Sequence, residues 1–175
     1  LGTLVSEGTT TQIALTDTSY TIDFNPAVDR LRVIGSNGAN LRVDVSTGET
    51  FTATNITGGM ISGAAYEDSF SNINGRETRL FTLDSSANPD RLNQQEPDAG
   101  TQSNTKTLLA GSNVESIDGY DINPANNNGL ALLTLGGTQQ FYNVNPGASG
   151  SANAASFFAA PPRLTGNIKF KSFTF

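Results

Sequence analysis

The sequence predicts an all-β protein built from repeated antiparallel meanders, and three observations support this fold class. Apolar and polar residues alternate in short runs along the chain, which is the period of half-buried strands. Most of these runs are flanked by Gly, Asn, Asp or Pro, the residues that are common in turns between strands. The segment IDFNPAVDRLRV near the start is repeated in similar form from Tyr120 onward, as YDINPANNNGLALL. Such repetition is typical of stacked β units.

The first unit covers about residues 20–60 and contains four predicted strands. Residues 20–24 alternate apolar and polar side chains, and Asn25-Pro26 ends this strand with a turn. Asn37-Gly38 is the dipeptide most typical of a tight hairpin. The predicted strands of this unit are 20–24, 30–33, 41–45 and 51–54.

The other two units repeat this order with different fidelity. The third unit, at about 117–175, matches the first closely, and its Asp121 aligns with Asp23. The middle unit, at about 61–110, is a degenerate copy in which residues 79–84 correspond to 41–44. Near the end, the pattern of residues 152–160 is consistent with a short helical turn, which Pro161-Pro162 would end.

The chain of 175 residues is long enough for one domain. We expect a single all-β repeat domain, with residues 1–19 as an N-terminal strand segment. One meander cannot bury both of its faces, so the units must stack. Three units are fewer than the roughly four to eight of a closed propeller. The predicted fold is therefore propeller-like but incomplete or open. Three arrangements are consistent with it: a fragment of a longer array, an open stack or sandwich of the units, or a structure that neighbouring chains complete.

The composition excludes several classes of function. The chain has no Cys and no His, which excludes disulfides, thiolate or imidazole metal sites and Ser-His-Asp catalysis. We therefore predict a protein that is not an enzyme and has no cofactor. The net charge of −6 disfavours nucleic acid as a partner. No apolar run is long enough for a membrane-spanning helix.

The same composition carries an expectation about location. Gly, Asn, Thr and Ser are abundant and charged residues make up only 15%, which is common on proteins outside the cell. The chain begins with Leu1 and not with Met. We expect an exported bacterial protein, extracellular or at the cell surface, from which a signal peptide has already been removed.

Carboxylates provide the candidate chemical sites. Asp23 and Asp121 recur at equivalent strand ends, and two interpretations are open: an acid–base or metal-binding pair, or acceptors for the N–H groups of the following Asn-Pro turns. The second is favoured, because a catalytic residue need not be copied in each repeat. An oxygen-rich stretch supplies calcium candidates at Asp84, Asp90 and Asp98.

Arginines and aromatic residues allow further binding sites. Arg30 and Arg32 share a strand face, and Arg42 joins them across the hairpin. Two interpretations are open for these three side chains: they clamp an anion, or they form a ladder of ion pairs with acidic neighbours. The ladder is favoured. Four aromatic residues form either a sugar-stacking platform or, as is favoured, part of the core: Tyr66, Tyr120, Phe141 and Tyr142. Asn55 lies in a glycosylation triplet.

The two ends of the chain supply candidate self-association residues. Apolar residues alternate near the C-terminus, which predicts a strand that must pair with another edge. The N-terminal segment, with Ile13 and Leu15, offers a complementary edge. The C-terminal candidates are Ile168, Phe170, Phe173 and Phe175.

The chain resembles the bacterial domain-of-unknown-function 4394 family in the stretches IDFNPAVDRLRVIGSNGANLRVDVSTG, AAYEDSF, TRLFTLDSS, DRLNQQEPDAGT and GYDINPANNNGLALLTLGGTQQFYNV. The similarity runs from about Tyr20 to Val144, and residues 94–98 match the family's middle motif only in part. The family pattern usually has another repeat in front, where this chain has residues 1–19. The resemblance implies a secreted, propeller-like repeat protein and carries over no catalytic residue, because the family has no assigned activity.

From these observations we expect an extracellular structural protein that self-associates as an oligomer or polymer, in a fibre or surface matrix. The alternative is a cell-surface module that binds polysaccharide or protein ligands.

Overall fold

The computed structural model describes residues 4–69, 77–147 and 154–157, and the regular structure in them is entirely strand. The strands form three sheets, each built from consecutive segments of the chain. The all-β, antiparallel-meander prediction is therefore confirmed.

The first sheet has the strand order β1-β5-β4-β3-β2. Strands β2 to β5 pair antiparallel, and the short β1 joins the edge parallel to β5. The register places Ile22 opposite Val33 and Asp23 opposite Arg32, so apolar residues share one face and polar residues the other. The strands are β1 (Val5–Ser6), β2 (Tyr20–Asn25), β3 (Arg30–Gly35), β4 (Asn40–Val43) and β5 (Glu49–Thr52).

The second sheet is an antiparallel meander in the order β6-β7-β8-β9. Its strands are β6 (Gly63–Tyr66), β7 (Leu80–Asp84), β8 (Arg91–Gln95) and β9 (Gln102–Thr107). The sequence alignment of residues 79–84 with 41–44 is wrong in topology, because β7 is the second strand of its meander and β4 is the third. The match reflects a shared turn: Asp44 and Asp84 each accept hydrogen bonds from the backbone N–H and hydroxyl of the serine two residues later.

The third sheet has the order β10-β11-β12-β13. Its strands are β10 (Ser116–Asn123), β11 (Asn128–Leu135), β12 (Thr138–Val144) and β13 (Ala155–Phe157). The expected helical turn over 152–160 is wrong where the chain is described. Residues 155–157 pair with β12, and the Ala155 N–H donates to Leu108 O of the second unit at 2.7 Å. This tertiary hydrogen bond favours the extended backbone over local helix formation.

The sheets stack in chain order through two shared cores. One core, between the first and second sheets, contains Ile34, Ile56, Ile61, Ala64, Tyr66 and Leu80. A larger core between the second and third sheets includes Phe81, Leu83 and Leu133. A third, smaller cluster lies on the outer face of the first sheet, where Leu4 and Ile13 pack on Val33, Leu41 and Val43.

The first strands of the three units lie side by side, with β6 in contact with both β2 and β10. The parts of the chain that the structure describes form no closed propeller or barrel, which is consistent with an open, propeller-like stack. The same parts contain no helix long and apolar enough to cross a membrane. The division into a single repeat domain stays a prediction.

Candidate functional site

The turns that follow the first strands of the first and third units contain the same side-chain hydrogen bond. The side-chain oxygen of Asn25 accepts a hydrogen bond from the Ala27 N–H at 2.9 Å, and Asn123 does the same for Ala125 at 2.9 Å. These are Asx turns, in which an Asn side chain mimics a backbone turn. The alignment of Asp23 with Asp121 therefore corresponds to a real structural repeat.

Asp23 and Asp121 occupy equivalent places, but the turn N–H groups do not bond to them as expected. Asp23 Oδ1 accepts a hydrogen bond from the N–H of Phe24 at 2.8 Å, and Asp121 Oδ1 accepts one from Ile122 at 2.8 Å. Burial, followed by the nearby charge of Asp121, raises the pKa of Asp23 to about 6. The two carboxylates are thus close enough to interact.

Side chains of β2 fasten the first unit to the second. The Ala64 N–H donates to Thr21 Oγ1 at 3.0 Å, and the Tyr66 N–H donates to Asp23 Oδ2 at 2.6 Å. These N–H groups lie on the first strand of the following unit, where they have no neighbouring strand of their own sheet. Thr21 and Asp23 therefore provide hydrogen-bond acceptors for backbone N–H groups at the edge of the second sheet that would otherwise lack them.

A buried arginine makes a second connection between the first and second units. Arg32 donates from Nη1 to Asn40 Oδ1 at 3.0 Å and to Pro97 O at 3.1 Å, and from Nη2 to Asp98 Oδ1 at 2.9 Å. Its Nε donates to the Tyr66 hydroxyl at 3.2 Å. A fully buried guanidinium with this many acceptors is an internal structural group.

The other two candidate arginines, Arg30 and Arg42, form ion pairs on the same face of the first sheet. Arg30 pairs with Asp44 at 3.1 Å, as the ladder interpretation expects. Arg42 pairs with Asp98 of the second unit at 3.0 Å, so this contact joins two units and is not a ladder within one sheet. The Arg42 guanidinium also lies 4.6 Å from the centre of the Phe51 ring.

An open pocket of about 250 Å³ lies on this face of the first sheet. The half-exposed ring of Phe51 forms one wall, and two ion-paired arginines and several carboxylates form the others. The lining residues are Glu7, Val28, Arg30, Arg42, Asp44, Glu49 and Phe51.

The opposite face of β2 carries an exposed apolar strip, defined here as Ile22 and Phe24. Their side chains are 60% and 46% exposed. Tyr120 and Ile122, which flank Asp121 as these two flank Asp23, are only 7% and 1% exposed because they pack against the second unit. The sequence alignment already paired these positions, but it could not show that one copy is covered and the other open.

The calcium candidates are divided between two environments. Asp84 and Asp90 are buried neighbours, and burial together with the charge of Asp84 raises the pKa of Asp90. Asp98 is half-exposed and ion-paired with Arg32 and Arg42. Within residues 4–69, 77–147 and 154–157 no group of three or more acidic side chains is placed to hold a metal ion. Calcium binding stays a prediction.

The remaining candidates have different outcomes. Tyr66, Tyr120 and Tyr142 are buried, which confirms them as core residues and contradicts their use as a sugar-stacking platform. Ile13 packs within the chain on the outer face of the first sheet, while Leu15 is exposed. Four of the self-association candidates lie outside the described residues: Ile168, Phe170, Phe173 and Phe175.

The fold and these junctions define a class of protein, an all-β repeat protein made of stacked meanders that are fastened through their first strands. Residues 2–166 match the model of the family described as Domain of unknown function (DUF4394), and the chain belongs to this family. No curated protein and no solved structure matches the chain.

Proposed function

We propose that this chain is a non-enzymatic structural protein that self-associates through the exposed strip on β2, in a fibre or surface matrix. The observation that supports the proposal is the exposure of Ile22 and Phe24 at positions whose copies in the third unit are buried between sheets. Apolar side chains that are exposed at a position where the equivalent residues of another unit are buried are typical of an interaction surface.

The size of the expected effect follows from the exposed side chains. Full burial of a large apolar side chain contributes about 1.5–3 kcal/mol. Because about half of each side chain is already covered, the strip would contribute about 2 kcal/mol to a contact, or roughly thirtyfold in an association constant. Other contacts around it would add to this value.

The test compares the native chain with a variant that carries Ile22→Ser and Phe24→Ser. Light scattering and negative-stain electron microscopy over a range of protein concentrations should show assemblies of the native chain and mainly monomers of the variant. Val45→Ser is the matched control, since Val45 is exposed and apolar but lies in the turn after β4. A native chain that stays monomeric at the highest concentration would contradict the proposal.

The location and the absence of catalysis are parts of the same proposal. Exported proteins commonly have the neutral polar composition of this chain, and a chain without His or Cys lacks the side chains most used for catalysis near neutral pH. Antibody labelling of intact bacterial cells should detect the protein at the surface. Labelling that requires cell lysis would contradict the extracellular part of the proposal.

A second candidate function, binding of a polysaccharide, is favoured by the pocket beside Phe51. A half-exposed aromatic ring can contact the C–H face of a sugar, and fixed Arg–carboxylate pairs offer both donors and acceptors to neighbouring hydroxyls. This pocket is on the opposite face of the sheet from the exposed strip, so the two functions can be tested separately.

Affinity electrophoresis in gels that contain dextran, xylan or soluble starch tests this second function. Retardation of the native chain in one of these gels, lost in Phe51→Ala but kept in Val45→Ala, would support it. Equal mobility of all three chains in every gel would contradict it.

A further inference from the structure

The Phe51 ring has different neighbours on its two sides, because β5 lies between β1 and β4 in the first sheet. On the β4 side, the Arg42 guanidinium lies 4.6 Å from the centre of the ring. On the β1 side, Glu7 follows the strand, and its N–H donates to Thr50 O at 2.9 Å. One side of Phe51 therefore has a cation beside it, whereas the other side has a carboxylate that lines the same pocket.

The charges that line this pocket are not balanced. Its two arginines already pair with aspartates, at 3.1 and 3.0 Å. Glu7 and Glu49 also line the pocket, and within residues 4–69, 77–147 and 154–157 neither side chain forms an ion pair. Both glutamates are exposed, and Phe51 is 37% exposed. The pocket therefore offers two carboxylates without a cation to a ligand that brings one.

These two carboxylates lie next to the Phe51 ring in two directions. Glu49 and Phe51 are two residues apart on β5, so their side chains share one face of the sheet. The register of the parallel strands pairs Val5 with Glu49. Two residues further along both strands, Glu7 comes level with Phe51. A ligand on the open side of the ring would therefore meet Glu49 along the strand and Glu7 across from it.

We propose that this pocket binds a polysaccharide of amino sugars, with a protonated amine held by Glu7 and Glu49 and the sugar ring against Phe51. This inference rests on the second candidate function, polysaccharide binding, and names the class of sugar. Charge complementarity selects the occupant, because an ammonium group brings N–H donors and the positive charge that the two carboxylates lack. The face of an aromatic ring also attracts such a cation.

The rest of the pocket fits one unit of such a polymer. Val28 and the Phe51 ring supply apolar surface for the C–H groups of a sugar. The ion pair of Arg30 with Asp44 supplies a donor and an acceptor for its hydroxyl groups. The volume of about 250 Å³ is below the roughly 300–1,000 Å³ of sites that enclose a drug-sized ligand. A single sugar unit therefore occupies the pocket, and the rest of the polymer runs over the surface.

Isothermal titration calorimetry with three tetrasaccharides of the same backbone and linkage tests the inference directly. The chitosan tetramer carries an amine at the second carbon of each sugar, the chitin tetramer an acetamide, and cellotetraose a hydroxyl group. At about pH 6 and low salt, the native chain should bind the chitosan tetramer at least about tenfold more tightly than cellotetraose. The reason is that an exposed ion pair and an exposed cation–π contact each change an affinity by up to about fivefold. Most of this preference should be lost in about 0.5 M NaCl.

A double variant with Glu7→Gln and Glu49→Gln tests whether these two side chains cause the preference. Glutamine keeps the size of glutamate and both residues are exposed, so the fold is retained. We expect the variant to bind the chitosan tetramer about as weakly as cellotetraose, with its affinity for cellotetraose unchanged. The matched control carries Glu77→Gln and Glu115→Gln, which remove two exposed carboxylates that do not line the pocket. This control should keep the full preference.

The outcomes separate this inference from the proposed functions. Equal affinity of the native chain for the three tetrasaccharides would overturn the amino-sugar inference and leave polysaccharide binding intact. A preference that survives in the double variant would place the amine elsewhere and would also overturn it. Tetralysine bound as tightly as the chitosan tetramer would show recognition of charge without sugar, with the same consequence. No binding of any tetrasaccharide would overturn both this inference and polysaccharide binding, but not self-association.

Discussion

Replacement of Arg32 by Met should destabilise the chain more than any other single change to its charged residues that we consider. Arg32 is only 2% exposed and connects the first sheet to the loop after β8. Methionine retains much of the side-chain volume but removes all the donors. The substitution therefore tests the hydrogen bonds and charge of Arg32 with little change in packing.

The magnitude follows from the groups that lose their donor. Removing one partner of a buried ion pair costs about 3–5 kcal/mol when the other charge stays buried. Asp98 is half-exposed and keeps its contact with Arg42, so that full penalty does not apply. Asn40 is completely buried and its Oδ1 loses a donor, at a cost of about 1–3 kcal/mol. With the lost bond to Pro97 O, we expect a total of about 2–4 kcal/mol.

Urea unfolding followed by far-ultraviolet circular dichroism gives the free energy of unfolding of each variant. Arg42→Met is the matched control, because Arg42 pairs with the same Asp98 but is partly exposed. We expect that control to lose about 1 kcal/mol, from a surface ion pair and a contact with the Phe51 ring. Equal losses for the two variants would refute the reasoning that burial makes Arg32 the more important arginine.

Two other predictions concern pH and backbone conformation. The pKa of Asp23, raised by burial to about 6 in the folded state, means that folded protein binds more protons than unfolded protein between about pH 4 and 6. Stability should therefore fall by up to about 3 kcal/mol as pH rises through this range. Calorimetry should show a smaller fall in Asp23→Asn, and parallel profiles would contradict the assignment. Gly38→Ala should cost more than about 2 kcal/mol, because φ is +96° and the added carbon would lie 2.1 Å from Ile56 O. Gly111→Ala, also at positive φ but with open space around it, should cost only about 1 kcal/mol in urea unfolding, and a similar loss for both would refute the steric argument.

Local signals in the sequence predicted much of the fold. The alternation in residues 20–24 and the Asn25-Pro26 turn correspond to β2 and the turn after it. These features are predictable because strand period and turn chemistry depend on neighbouring residues along the chain. The same local logic failed at residues 155–157, where a hydrogen bond to Leu108 of the second unit stabilises a strand.

The candidate site was harder to predict, because it depends on contacts between units. Arg32 was expected in a ladder or an anion clamp with its neighbours, but a loop of the second unit covers it and accepts its hydrogen bonds. Asp23 was expected to bond to its own turn, and its second oxygen instead accepts from the first strand of the next unit. Neither partner can be deduced from the residue's own strand.

Short-range alternation and the copying of one motif were enough to predict the main strands and turns of the first and third units and their repetition. Which face of each copy is covered depends on how the units pack. Ile22 and Tyr120 occupy equivalent positions, yet one is mostly exposed and the other buried. Burial depends on which unit lies in front, and that information is absent from the residues of the strand itself.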